Sequence, residues 1–334
     1  MYSNFSRFSG FSGYSFLLVV SVFFSLLLSS CTTDPVFNEV GVEVRAVDLP
    51  PLDPAEGHYQ LWFSYPDDPV SGKRLAVEHS EALYVSFGTF VVDEDGTVRG
   101  VDGGTPLFTI PAGYNPSLLA DAILTVERPG DDDDIPSVRF LSGAFTGTEE
   151  QGIAVLTLSG NDAFGRAFDT ISGAYRLITL STESTDDDNQ GIWFIDLIGL
   201  PTLELKAQPV NRENKNWTYE SWLIRTVDDE EEYISLGTFN RADTVDANEA
   251  GPNAGPDLIL RTAPGEDFVQ GTTRILDDGT YNVMITLQPI GITLDRPYYP
   301  LLKGPAIPKD IAPLSVIQMT DPQLLPAVEI TVDR

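Results

Sequence analysis

Along the chain, apolar and β-branched residues come in short runs separated by clusters of Asp, Gly, Pro and Asn. Runs of that length, broken by turn-forming residues, are the pattern of strands joined by tight connections. The clearest lie at Tyr59 to Tyr65, Ala82 to Asp93, Ala122 to Glu127, Val138 to Phe145, Ile153 to Ser159, Ala174 to Ser181 and Ile192 to Ile198. No stretch sustains a 3.6-residue apolar period, and only Pro116 to Asp121 suggests a turn of helix. The predicted fold class is therefore all-β, with strands spaced as in an antiparallel, Ig-like two-sheet β-sandwich.

The first apolar run is of another kind. Phe16 to Leu28 carries no charge, and the only charged side chain before it is Arg7. Those thirteen residues would cover about 20 Å as a helix, too short for a ~30 Å hydrocarbon core, which suits a signal-peptide core and not a spanning segment. Directly after it, Leu28-Ser29-Ser30-Cys31 resembles the lipobox of bacterial lipoprotein precursors. The resemblance implies cleavage before Cys31, lipid attachment to its sulfur and acylation, as by palmitate, of the new amino terminus, so that the chain meets the membrane through lipid. Thr32 in place of an aspartate implies, in that family, sorting to the outer membrane of the cell envelope, facing the periplasm or the surface. The competing reading is a plain secretory signal that happens to end in a cysteine. Cys31 is the only cysteine, so no disulfide can form within the chain.

Beyond Cys31 the organisation is set by an internal repeat. Gly57 to Phe63 reads GHYQLWF and Trp217 to Ile224 reads WTYESWLI, which aligns Tyr59 with Tyr219 and Trp62 with Trp222. A second matching strand follows each, YVSFGTF ending at Phe90 and YISLGTF ending at Phe239, so that Gly88, Thr89 and Phe90 correspond to Gly237, Thr238 and Phe239. More loosely, Ile123 to Glu127 matches Val283 to Leu287, while Val138 to Leu205 has no evident counterpart in the second copy. Two copies predict two tandem domains: a signal peptide at 1–30, a tether at 31–45 with a short strand from Val42 to Val47 at its end, and β-sandwich domains at 46–205 and 206–334.

The paired Tyr-x-x-Trp and Ser-x-Gly-Thr-Phe strands, with the acidic turn Asp93-Glu94-Asp95-Gly96, resemble the extracytoplasmic C-terminal domain of the anti-sigma-K factor family, which implies a β-sandwich. A second phrase, from Ile171 to Thr182, through Asn189 to Asp196, to Trp217 to Trp222, looks like a run found in uncharacterised bacterial lipoproteins of the same anti-sigma-like type. Anti-sigma factors of that family hold their sigma factor through a cytoplasmic helical region and cross the membrane once. With Cys31 acylated this chain would have neither, so direct sigma-factor binding is not expected.

Charge narrows the partners further. Fifty acidic against twenty basic residues give −30, and loss of Arg7 with the signal makes it −31. Such a surface repels nucleic acid and anionic headgroups. Candidate chemistry is sparse: His58 and His79 are the only histidines, and neither a metal-site spacing nor a Ser-His-Asp arrangement is built around them. Acidic clusters at Asp131 to Asp134, Asp186 to Asp188 and Asp228 to Glu232, with the Asp-Gly turns at Asp95 and Asp278, are either solvated hairpin tips or Ca²⁺-binding loops; none has EF-hand spacing. Strand alternation puts Tyr59 and Trp62 on opposite faces, so at least one of each pair is core, and Tyr59, Trp62, Trp193, Tyr219 and Trp222 read as packing residues before they read as a ligand platform. The expected role is a non-enzymatic interaction or structural module with an unknown envelope protein or ligand as partner and no cofactor. The alternatives are a ligand- or Ca²⁺-binding sensor or adhesin, and a carboxylate-pair hydrolase of the envelope.

Overall fold

The computed structural model describes residues 37–65, 83–131, 133–165, 168, 170–205, 216–257 and 262–334. All-β architecture is confirmed: among these residues there are strands and two short 3₁₀ turns, Pro116–Leu118 and Asp188–Gln190, and no α-helix. The strands are β1 (Val40–Val47), β2 (His58–Tyr65), β3 (Leu83–Val92), β4 (Val98–Arg99), β5 (Thr109–Ile110), β6 (Asp121–Glu127), β7 (Val138–Gly147), β8 (Gln151–Thr157) and β9 (Gly173–Leu177). There follow β10 (Gly191–Trp193), β11 (Trp217–Val227), β12 (Glu230–Phe239), β13 (Gly265–Asp267), β14 (Tyr281–Pro289), β15 (Tyr299–Lys303), β16 (Val316–Met319) and β17 (Ala327–Asp333).

They form a curled nine-stranded sheet in the order β4-β3-β2-β6-β7-β8-β17-β1-β5 and two four-stranded sheets, β13-β10-β9-β16 and β12-β11-β14-β15, with every pairing antiparallel. The nine-stranded sheet bends until its far ends meet: Phe108, just before β5, packs edge-on to Phe90 of β3, ring centres 5.6 Å apart. The approach needs a glycine, because a Cβ on Gly88 would lie 2.7 Å from the Phe108 ring.

The repeat read from the sequence is a repeat of structure. In each copy the Tyr-x-x-Trp strand lies between two neighbours, β2 between β3 and β6, and β11 between β12 and β14. A β-bulge interrupts the first pairing at matching places, between Leu61 and Trp62 and between Glu220 and Trp222. The correspondence runs one strand further than the sequence suggested. β7 and β15 follow as fourth strands, each bulged against the third at equivalent points, Leu124/Thr125 and Ile285/Thr286. Of the segment from Val138 to Leu205, β7 therefore does have a counterpart in the second copy. Register also corrects the loose match of the third strands by one residue, since Ile123 faces Trp62 where Met284 faces Trp222.

Two tandem sandwiches are not what the repeats build. The last strand, β17, sits between β8 and β1 in the first copy's sheet, β16 pairs with β9, and β13 pairs with β10. Residues on both sides of 205/206 share one continuous hydrophobic core, and the described residues fall in a single compact unit. The physical reason is cover: a four-stranded sheet with an apolar face needs another layer over it. For the second repeat that layer comes from the first half of the chain. Phe140 packs on Trp217 at 5.3 Å and on Tyr299 at 5.7 Å, and Trp217 packs on Tyr298 at 5.8 Å. The expected tether at 31–45 is likewise cut short, because β1 begins at Val40 and pairs with β17 from Val42 to Val47.

Candidate functional site

The aromatic and glycine positions singled out by the repeat lie inside the modules. Tyr59 and Tyr219 are fully buried and stack on Phe90 and Phe239, with ring centres 5.3 and 5.6 Å apart. On the opposite face Trp62 donates its indole N–H to Thr125 Oγ1 at 2.8 Å, and Trp222 donates to Thr286 Oγ1 at 3.0 Å. Gly88 and Gly237 hold positive φ, 146° and 102°, which other residues adopt only with strain. Thr89 and Thr238 face Gln60 and Glu220 across the first strand pair. Trp193 is buried too and donates to Asp267 Oδ1 at 2.8 Å. These residues pack and bond within the fold and form no exposed platform.

Leu28, Ser29, Ser30, Cys31 and His79 lie outside the described residues. His58 is buried beside Gln60, Glu127 and Asp131. Burial pulls its pKa below the usual imidazole value, against the pull of those acidic neighbours.

The acidic clusters serve their own turns. Asp133 accepts from Ile135 N at 2.8 Å, Asp95 from Thr97 N at 2.9 Å and Asp278 from Thr280 N at 2.8 Å. Asp187 accepts from the Thr182 hydroxyl at 2.9 Å, and Asp188 from Thr179 N at 3.2 Å. Asp228 and Asp229 form the two-residue tip of the β11–β12 hairpin, both with positive φ. Nearby, Glu232 pairs with Arg225. Among the described residues, no group of three or more His, Cys, Asp or Glu side chains is placed to hold a metal ion.

Two other features, neither singled out by the sequence, are built on the second repeat. One is a cleft of about 370 Å³ on the outer face of β11 and β14, lined by Thr218, Glu220, Thr238, Asn240 and Gln288 together with Ile290 and Leu294. The pleat brings these polar groups together, since Glu220 faces Thr238 and Thr218 faces Gln288 across paired strands. Burial pushes the Glu220 carboxyl above its usual range, opposed by hydrogen bonds from Ser235 and Gln288. Gln288 is only 6% exposed; its amide N–H donates to Arg296 O at 3.0 Å while its Oε1 has no partner.

The other is an acidic knot where edge strand β12 approaches edge strand β13. Asp246, Glu266 and Asp267 are all nearly inaccessible to solvent. Asp267 is well satisfied, accepting from Leu180 N at 2.9 Å, Ser181 N at 2.8 Å and Trp193. Asp246 accepts from Gly265 N at 2.9 Å, and Glu266 accepts from the Asn248 amide at 3.2 Å. Burial pushes Asp246 up to about 7 and Glu266 up to about 8. Glu266, Asn248 and Arg274 line an open cleft of about 600 Å³ beside this knot. In a chain with fifty acidic residues no local pattern marks these three; only their distant pairing partners do.

Comparison with protein-family models, with curated proteins and with solved structures finds no match.

Proposed function

We propose that this chain is a bacterial lipoprotein, anchored through lipid on Cys31 in the outer membrane of the cell envelope and acting there as a non-enzymatic interaction module. The observation that carries the reading is the lipobox-like Leu28-Ser29-Ser30-Cys31 at the end of an uncharged apolar run, followed within nine positions by the first strand of the body at Val40. A linker of that length reaches at most ~30 Å, so lipid on Cys31 holds the β-body close against the bilayer. The likeness of the repeated strands to an anti-sigma-like extracytoplasmic domain supports the same setting. So does the negative charge of −30, which disfavours nucleic acid and leaves a protein or small-molecule partner.

Intact-mass analysis of the membrane fraction tests the anchor: a mature chain beginning at Cys31 with diacylglyceryl and acyl additions is expected, and Cys31→Ser should move the protein to the soluble fraction. An uncleaved or unmodified amino terminus would overturn the reading. A second reading, a ligand-binding sensor, is favoured by one observation: the two polar clefts both lie on the second repeat, beside Glu220 and Glu266.

A further inference from the structure

We propose that the open edge of β12 is a docking site for an extended segment of another protein, added as a further strand, with β-branched apolar residues at one end and lysine or arginine at the other. This names one partner surface for the interaction module read above, yet it rests on the sheet edge and not on the anchor, so failure of either leaves the other standing.

The edges of the three sheets are β4 and β5, β13 and β16, and β12 and β15. β4 and β5 have two residues each, β13 three and β16 four, while β15, with five, is bridged to Thr320 through Lys303. β12 runs for ten. Its free groups follow from the hairpin, whose two-residue tip, Asp228-Asp229, closes on the pair Val227 and Glu230. Such a closing pair exchanges both hydrogen bonds. Alternation from there turns the N–H and C=O of Glu230, Glu232 and Ile234 toward β11, and those of Glu231, Tyr233 and Ser235 to the outside. Among the described residues no other backbone group bonds to those three on the outer side. The edge is within reach of solvent: Glu231 and Ser235 are exposed, Tyr233 is partly so, and the cleft of about 600 Å³ opens beside Ile234 and Ser235.

An incoming strand supplies backbone donors and acceptors at the spacing this edge needs, whatever its side chains, and the side chains then set specificity. From Asp228 to Glu232 every residue is acidic. Arg225 and Arg274 both go to Glu232, and Glu94 and Arg296, which also act on Tyr233, are paired with each other. Glu230 and Glu231 thus keep their charge for basic residues placed opposite them. Further along, Tyr233 packs with Trp222, Ile224 and Met284 on one face, and Ile234 borders the main core on the other, so apolar β-branched residues fit beside them. A second copy of this chain would set like charges against like along the same edge, which disfavours it.

Calorimetric titration of the full chain in detergent with the peptide acetyl-Thr-Val-Ile-Val-Lys-Arg-Lys-amide, at about 0.15 M salt to screen diffuse attraction, tests this. Saturable binding is expected, weakened ~10-fold or more when the three basic residues are replaced by glutamate and when every internal amide is N-methylated. Tyr233→Pro removes an outward N–H without touching the bonds to β11, and should lose ~10-fold or more while keeping its melting transition. Absence of saturation, equal binding of the N-methylated peptide, or an unchanged affinity in folded Tyr233→Pro would overturn the proposal. So would a dimer of the unaltered chain, seen by sedimentation and lost in Tyr233→Pro, because it would seat a second copy on the edge. If Tyr233→Pro fails to fold, the comparison of the peptides on the unaltered chain still decides it.

Discussion

Tyr59 and Tyr298 meet hydroxyl to hydroxyl at 2.8 Å in the core between the two repeats. Tyr59 belongs to the central strand of the first, and Tyr298 immediately precedes the fourth strand of the second. The Tyr59 hydroxyl also donates to Pro50 O at 2.8 Å, so the hydrogen between the two tyrosines belongs to Tyr298. The two substitutions to phenylalanine should therefore differ. Tyr298→Phe removes one donor and should cost about 1 kcal/mol, whereas Tyr59→Phe leaves both Pro50 O and the Tyr298 hydroxyl unsatisfied and should cost ~2–4 kcal/mol. Urea unfolding of both variants checks the order, and a larger loss for Tyr298→Phe would refute this hydrogen-bond assignment.

The interleaved sheets predict one cooperative transition where tandem domains would give two. β17 contributes Val328, Ile330 and Val332, all fully buried, between β8 and β1. Burying three such side chains contributes ~5–9 kcal/mol, comparable to the whole stability of a typical domain. Deleting residues 327–334 should thus unfold the body entirely, including the first repeat. Scanning calorimetry should show a single endotherm in the intact chain and none in the truncated one; a surviving folded first half would contradict the shared core.

How much of this was legible follows the range of each interaction. Tyr59, Trp62 and Gly88 could be matched to Tyr219, Trp222 and Gly237 because strand, hairpin and bulge are local and repeat their spacing. The fourth strand of the repeat escaped notice because Phe140 and Leu301 share a bulge position without sharing an identity, and a bulge shifts register without leaving a mark on composition. Placement of β17 beside β1 was out of reach for a different reason: Ile330 opposite Val44 is one of many equivalent pairings of β-branched residues, chosen by the whole fold. Glu220 and Gln288 looked like ordinary outward-facing residues of amphipathic strands. Their proximity depends on β11 and β14 being neighbours.

Equivalent glycines in the two repeats face different surroundings, which makes a paired substitution informative. A Cβ at Gly88 would press on the Phe108 ring and the Leu107 carbonyl, while one at Gly237 would meet the Asn248 amide and the Asp246 carboxyl. Both sites have positive φ, so alanine should cost at least ~1 kcal/mol of backbone strain in each. Gly88→Ala should cost more, because its Cβ would press on a core ring and on the Leu107 backbone carbonyl, whereas the nearest atom at Gly237 is the end of the Asn248 side chain, which can turn aside. Gly237→Ala should instead disturb the acidic knot and shift its titration. Thermal melts at pH 5 and pH 8 separate the two effects.

The knot itself predicts an unusual dependence of stability on pH. Asp246 and Glu266, raised to about 7 and about 8, hold protons in the folded state that the unfolded chain has already released above the ordinary carboxylate range. Folding therefore becomes less favourable as pH rises from about 5 through 8, with a slope approaching ~1.4 kcal/mol per pH unit for each group while the two states differ by a full proton. Asp267 and Asp246 add repulsion at Glu266, and Arg274 opposes it. Arg274 is itself shared with Glu232 at 3.6 Å, which limits its help. Asp246→Asn with Glu266→Gln keeps the shapes and removes the titration, so the melting temperature of the double variant should vary less between pH 5 and 8 and exceed that of the unaltered chain at pH 8. An identical pH profile in the two proteins would show that these carboxyls ionise normally, and that the fold tolerates charge where strands β12 and β13 approach.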